Sequence, residues 1–414
     1  MSSTTNAIHV AIVTHSYPRF EGDWRSNFIE SLAMAYKEKG CKVTVIVPFS
    51  VDWQRNSSNS NGISLITYRY MPFSAWHTLG YGKSMKGDLK INPLHILLAP
   101  FMVVIGSLSV ALLLRSEKVS FIHAHWAIPN TIISLIGRFF ARSKVKILTS
   151  FPGSDVTVIT KLGFLGRYLA ALIGKSDYLS CNSSDLKEDL VSAGIPKNKI
   201  DYVIYGVNNS SMKFDDVSRT EIRGRYKISD DQILLLLIGR FVPKKGFSTA
   251  LKAMAIININ YSNVRMMLIG SGVEDTNYRK IIHEQGTENT IIFIGEVSPR
   301  ELKKYYSACD IFLMPSERFP SDGLNVVVVE AMSCARPLVV SDVGGNDLVV
   351  FNNENGFLHR AGDPVDLASK LQPILNDQSL RLIMGNKSRA LVDERFNWNS
   401  IADYYLDRYI NLLD

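Results

Sequence analysis

The feature that most constrains this chain is a repeated alternation of short aliphatic runs with segments of helical period. HVAIVTHSYP carries a β-branched run over 9–13 that reads as a strand buried on both faces. After the polar loop RFEGDWRS, apolar residues recur at Phe28, Ile29, Leu32, Ala33 and Tyr36, which predicts a helix over 27–39. Gly40 stops it, and CKVTVIVP is a second strand. Strand, helix and strand with short connections make a βαβ unit, and FIHAHWAI, a helix over 130–140 and VKILTSF repeat the theme. The second half restarts the same pattern with QILLLLIGR, a helix over 247–257, VRMMLIGSG, TIIFIGEV, the helix ELKKYYSA, CDIFLMPS, RPLVVSD and GFLHR. Two successive α/β halves predict two Rossmann-like doubly wound domains facing each other across a cleft. Polar, aperiodic NNSSMKFDD places the boundary, giving a first domain over 1–207 and a second over 208–395. The segment 396–414 has helical spacing and is expected to cross back onto the first domain.

Composition narrows the class further. At 414 residues, 46% hydrophobic and 21% charged, the chain is not disordered, collagenous, coiled-coil or a disulfide mini-protein. Cys41, Cys181, Cys309 and Cys334 form no CxxC pair and no zinc spacing, so reduced thiols are expected. The polar opening MSSTTNA lacks the pattern of a secretory signal, which makes a cytoplasmic protein the expectation.

The net charge of +7 is unevenly placed. Residues 1–205 hold 22 Lys and Arg against 13 Asp and Glu, whereas residues 206–414 hold 24 against 26. An excess confined to the first half admits nucleic acid, anionic lipid or phosphorylated ligands as partners. With no recognised nucleic-acid module and no basic stripe interleaved with aromatics, nucleic acid is not expected. Within that half, 94–114 is a run of 21 residues whose only ionisable side chain is His95. Three readings stay open for it: a half-buried crossover helix, a helix resting on a membrane, and a transmembrane span. Pro100 and the need for a crossover at this place favour the first.

The chemistry-bearing motifs lie mostly in the second half. Neither GxGxxG nor GxxxxGK[ST] occurs, which removes the usual dinucleotide and P-loop fingerprints. LIGSG, with Gly270 and Gly272, reads equally as a plain turn or a phosphate-binding one. GRFVPKKGF puts Arg240 at the carboxyl edge of a strand and Lys245 near a helix start, cations suited to a diphosphate, with a solvated basic loop as the alternative. In PSERFPSDGLNVVVVEAMSCARP, Asp322 and Glu330 lie eight residues apart, and Glu330 sits among apolar neighbours where a carboxylate needs a partner. Propensity makes VVVV a strand. A helix capped by Asn325 would instead leave free amides after Gly323. Carboxylates suit polyol hydroxyls, and this second constellation tips the basic loop toward a phosphate site.

Taken together and in order, these segments resemble the retaining glycosyltransferases of family 4, of the bacterial or archaeal surface-glycan type, over nearly the full chain. The family's E-x7-E signature appears as Asp322-GLNVVVV-Glu330, supported by GRFVPKKG, IIFIGEV, ELKKYYSACDIFLMPS, PLVVSDVGG and YGVN. SYPRFEGDWRSNFI, HAHWA and SFPGSDV fall where the family has its first-domain segments. The resemblance implies the GT-B fold. It implies that Arg240 and Lys245 bind the donor diphosphate, that Glu330 holds the ribose, and that Val297 lies near the base. Asp322 and the backbone of Gly323, Leu324, Asn325 and Val326 would hold the donor sugar, with Gly22, Gly239 and Gly270 completing the donor side. His125, Gly153 and Asp155, with the loop around Gly22, would line the acceptor side. Asp322 replaces the usual first Glu, Pro152 a frequent His, and Tyr205 the Asn of NGVD.

The implied reaction moves a hexose from a UDP- or GDP-sugar to a glycan or lipid-linked acceptor, with retention, in polysaccharide or glycoconjugate biosynthesis. No cofactor is expected, and because the sequence has no DxD, no metal either. A sugar-nucleotide epimerase of the same fold and a non-catalytic nucleotide-sugar binder are the alternatives. The basic, apolar first half adds an anionic membrane surface, at the inner face, as an expected partner.

Overall fold

The computed structural model describes residues 8–23, 26–55, 61–81, 85–86, 90–91, 93–318 and 323–413. The chain forms two compact units, one from 1–182, 186–203 and 398–414, the other from 183–185 and 204–397.

The first unit is built on a parallel sheet of seven strands in the order β3-β2-β1-β6-β7-β8-β9. These are β1 (His9–Val13), β2 (Lys42–Pro48), β3 (Ser64–Tyr68), β6 (Phe121–His125), β7 (Lys146–Phe151), β8 (Tyr178–Cys181) and β9 (Ile200–Tyr202). A short antiparallel pair, β4 (Met85–Lys86) and β5 (Lys90–Ile91), stands apart. β1 is fully buried, as an aliphatic strand covered on both faces must be. Helix Ala127–Ala141 opens irregularly, because Ile128 is extended (φ −107°, ψ 120°), and the regular helix follows that break over the predicted 130–140.

The apolar run over 94–114 lies in helix Pro93–Ser116, with Pro100 inside it. One face packs against helix Ala127–Ala141 at close range: a Cβ on Gly137 would come 2.6 Å from Val110, and one on Gly106 3.0 Å from Ile133. The helix is therefore a half-buried layer of this unit. The final helix, Trp398–Asn411, belongs to the same unit. Its Tyr405 hydroxyl lies 2.9 Å from both Ser150 Oγ of β7 and Ser180 Oγ of β8, and Ser150 Oγ lies 2.8 Å from His123 Nε2.

The second unit has a six-stranded parallel sheet in the order β12-β11-β10-β13-β14-β15. Its strands are β10 (Ile233–Ile238), β11 (Val264–Ile269), β12 (Ile291–Gly295), β13 (Ile311–Met314), β14 (Leu338–Ser341) and β15 (Gly356–His359). The run VVVV is the start of helix Val326–Ser333, not a strand. Val328, Val329, Ala331 and Met332 are buried in the core with Phe312 and Val340, and that packing overrides β propensity. All four cysteines are buried and free of disulfides.

Candidate active site

In an open α/β sheet, ligands bind beyond the carboxyl ends of the strands where the strand order reverses. In the second unit that point lies between β10 and β13, since β11 and β12 run to one side of β10 and β13 to β15 to the other. The loop after β10 carries Gly239, Arg240 and Lys245, and the loop after β13 leads into helix Val326–Ser333. Arg240 is exposed and Lys245 is buried, its stem passing beside Gly239. The Lys245 ammonium donates to Asn325 Oδ1, so the two loops meet at a cation and a helix N-terminus. Asn325 occupies the N-cap position with extended backbone, but its side chain does not cap; its amide nitrogen donates to Ser316 Oγ at 3.3 Å. The amides of Val326 and Val327 stand in the first turn, where the helix itself offers no acceptor.

Close backbone approach fixes these loops. Gly246 has φ +64°, and a Cβ there would lie 1.7 Å from the Pro315 carbonyl oxygen. Gly270, at φ +140°, would place a Cβ 1.9 Å from the Gly239 carbonyl oxygen. Glu317 ties the loops together: its amide donates to the Lys244 carbonyl at 2.9 Å, and its carboxylate accepts from Thr249 Oγ1 at 3.0 Å. Val297 follows β12, half-buried against the core, and the Gly270 amide donates to the Gly295 carbonyl just before it. Gly323 and Leu324 are buried at the entry to the helix, and Asp322 lies outside the described residues.

Glu330, one turn into that helix, is half-buried. Its Oε2 accepts from the Tyr306 hydroxyl at 2.7 Å. Burial pushes the Glu330 pKa up, while the tyrosine hydrogen bond pulls it down. The same burial, with the carboxylate beside it, raises the Tyr306 pKa well above the usual phenol value. The partner that an apolar setting demands is thus a tyrosine from helix Pro299–Ala308. Sequence reasoning missed Tyr306 and Glu317; the double tyrosine of ELKKYYSA was the only signal for the former.

The first unit reverses its strand order between β1 and β6. There the His15 and Trp126 rings lie 4.5 Å apart, and Asn130 Nδ2 sits 3.1 Å from His15 Nδ1. His125 is buried against His123, ring centroids 4.1 Å apart, and neither of its ring nitrogens has a hydrogen-bond partner among the described residues. Burial lowers the His125 pKa to about 3 and that of His15 to about 4, so both rings are neutral at ordinary pH. Asp155 is turned inward. Its carboxylate accepts from the amides of Ala127 at 2.7 Å, Gly153 at 3.2 Å and Val156 at 3.1 Å, binding the loops after β6 and β7 together. Burial pushes its pKa up to about 6 against the pull of those amides. Gly22 lies in an exposed turn after β1 at φ +89°.

Residues 218–391 match the family described as glycosyl transferases group 1. The chain is similar to the N-acetyl-alpha-D-glucosaminyl L-malate synthase of Bacillus anthracis, 25% identical over 76% of this chain and 80% of that one. It is also similar to a GDP-mannose-dependent alpha-(1-6)-phosphatidylinositol monomannoside mannosyltransferase of Mycobacterium tuberculosis, 26% identical over 55% of this chain and 60% of that protein. The fold is that of Anabaena HepE, solved in complex with UDP, at a TM-score of 0.71 and 17% identity, covering 98% of this chain and 100% of the other. The match to a transferase family and the transferase relatives do not favour the epimerase alternative. The chain is a glycosyltransferase of GT-B fold, and its second unit matches the glycosyl transferases group 1 family over 218–391.

Proposed function

We propose that this enzyme transfers a hexose from a nucleoside diphosphate sugar to a hydroxyl of a glycan or lipid-linked acceptor at a membrane surface, with retention and without a metal. The observation that carries the donor reading is the meeting of Lys245 with Asn325 at the strand-order reversal of the second sheet. Departure of the diphosphate builds negative charge on its oxygens, and preorganised cations and first-turn amides stabilise it as an oxyanion hole does. Arg240, Lys245 and the start of helix Val326–Ser333 supply those groups here. Glu330 accepts the ribose hydroxyls, and Asp322 with the Gly323 to Val326 backbone holds the sugar. Similarity to a GDP-mannose-dependent enzyme and to a UDP-bound structure supports a UDP- or GDP-sugar as donor.

Retention without a carboxylate nucleophile calls for front-face attack, with a donor phosphate oxygen taking the acceptor proton. The test is release of nucleoside diphosphate from UDP-, GDP- and ADP-hexoses in the presence of acceptor, with Lys245→Ala beside the wild type. Loss of one such donor costs about 2.7 to 4 kcal/mol, roughly 10² to 10³ in turnover. Undiminished turnover of the variant would remove Lys245 from the leaving-group site.

A further inference from the structure

We infer that the first unit carries a docking surface for an anionic lipid bilayer, formed by the outer stripe of helix Pro93–Ser116 and the end of helix Ala127–Ala141. The inner side of the longer helix is committed to the fold, with Met102, Ser107, Val110 and Leu113 buried. Its outer side carries Leu97, Phe101, Val104, Leu108 and Leu112, exposed by 69, 55, 53, 44 and 64%. Their spacing of four, three, four and four residues draws one line along the helix, about 22 Å long at 1.5 Å per residue. A helix on the surface of a water-soluble domain places polar residues on that side. At the far end of the line, the Arg115 guanidinium donates to the Phe140 carbonyl at 2.6 Å, which brings Phe139, 77% exposed, to the same end.

Charge selects the occupant. From 97 to 147 the chain has six cations, Arg115, Lys118, Arg138, Arg142, Lys144 and Lys146, against a single acid, Glu117. Arg138 and Lys146 are paired with Asp177, and Glu117 is paired with Lys42. Arg115, Lys118, Arg142 and Lys144 are exposed beyond the end of the apolar line. An apolar stripe at acyl depth, rimmed by cations at the level of lipid phosphates, is the arrangement of an interfacial helix lying in the membrane plane. A second copy of the chain fits less well: a parallel twofold pairing of this face sets the same cations against one another, an antiparallel one sets them against the apolar start of the stripe, and 97–116 contains no acid to meet them. A span is excluded by the inner side, which would have to leave helix Ala127–Ala141.

The inference stands apart from the donor chemistry, and flotation of the full chain on vesicles tests it without any substrate. The wild type is expected to float with vesicles of phosphatidylcholine and phosphatidylglycerol in equal parts and to stay in the dense fraction with phosphatidylcholine alone. Leu108→Ser combined with Leu112→Ser should abolish flotation while nucleoside diphosphate release from a soluble acceptor reaction is unchanged. Arg142→Glu combined with Lys144→Glu, on exposed positions that carry no packing, should abolish it as well. Wild-type protein that floats on neither vesicle, or equally on both, overturns the proposal. So does a stable dimer in sedimentation that the leucine variant converts to monomer, and so does retention in the bilayer after alkaline extraction.

Discussion

Tyr306 decides how Glu330 can be used. A carboxylate that is to accept two ribose hydroxyls has to be ionised, yet burial raises the Glu330 pKa and, among the described residues, the Tyr306 hydroxyl is what opposes that rise. Tyr306→Phe removes the 2.7 Å hydrogen bond and leaves the ring in place. A hydrogen bond to a charged group contributes about 1.5 to 3 kcal/mol, so donor Kd should rise roughly ten- to a hundredfold with a smaller change in kcat. The sign on pH follows: without its donor, Glu330 ionises at higher pH, and the acid limb of donor binding moves upward. A pH profile of donor affinity by calorimetry checks this; an unmoved limb beside a lowered Tm would reduce Tyr306 to packing. Glu330 itself was legible in the sequence, because an acid within VVVVEAM is hard to explain as surface. Its partner was not, since 24 residues and the strand β13 separate them along the chain.

At the scale of elements, the strand order and the loops it brings together carry the donor site. The aliphatic runs and their glycine stops gave away the strands, and the strands fixed where Arg240 and Lys245 would stand. One thing stayed open between two readings and another stayed hidden. Helix Val326–Ser333 opens with four valines, and only its burial between β13, β14 and helix Pro299–Ala308 makes it a helix. The inward turn of Asp155 was also unreadable, because its three amide partners come from two separate loops. Gly246 shows how tightly the loops after β10 and β13 are joined. Gly246→Ala puts a Cβ against the Pro315 carbonyl and holds an alanine at φ +64°, which alone costs about 1 to 2 kcal/mol. The loop has to move, and Lys245 moves with it. Expected are a Tm lowered by several degrees, since the clash adds to the backbone cost, and a weakened donor affinity. Differential scanning calorimetry with donor titration reads both, and a variant with wild-type values would show that the loops are not locked at this point.

For the whole molecule, the two units differ in what acid does to them. The first buries His9, His123 and His125 and half-buries His15, all with pKa values lowered chiefly by desolvation. In the unfolded chain each takes up a proton near pH 6.5, while the folded unit takes it up only at lower pH. Stability is therefore lost as pH falls through 6.5, by about 1.4 kcal/mol per pH unit for each histidine that titrates only when unfolded. Asp155 works the other way, because a carboxyl raised to about 6 gains stability over the unfolded chain as pH falls from 6 toward 4. One such group does not offset four histidines. In the second unit His359 is buried with a lowered pKa, but His283 is exposed and forms an ion pair with Glu288. The five tryptophans, Trp24, Trp53, Trp76, Trp126 and Trp398, all belong to the first unit, so their fluorescence reports on that unit by itself. Between pH 7 and 4, at a fixed moderate urea concentration, tryptophan emission should shift to the red before half of the far-ultraviolet circular dichroism is lost, because the second sheet and its helices remain. Coincident transitions in the two signals would mean that the buried histidines do not set the acid limit, or that the units unfold as one.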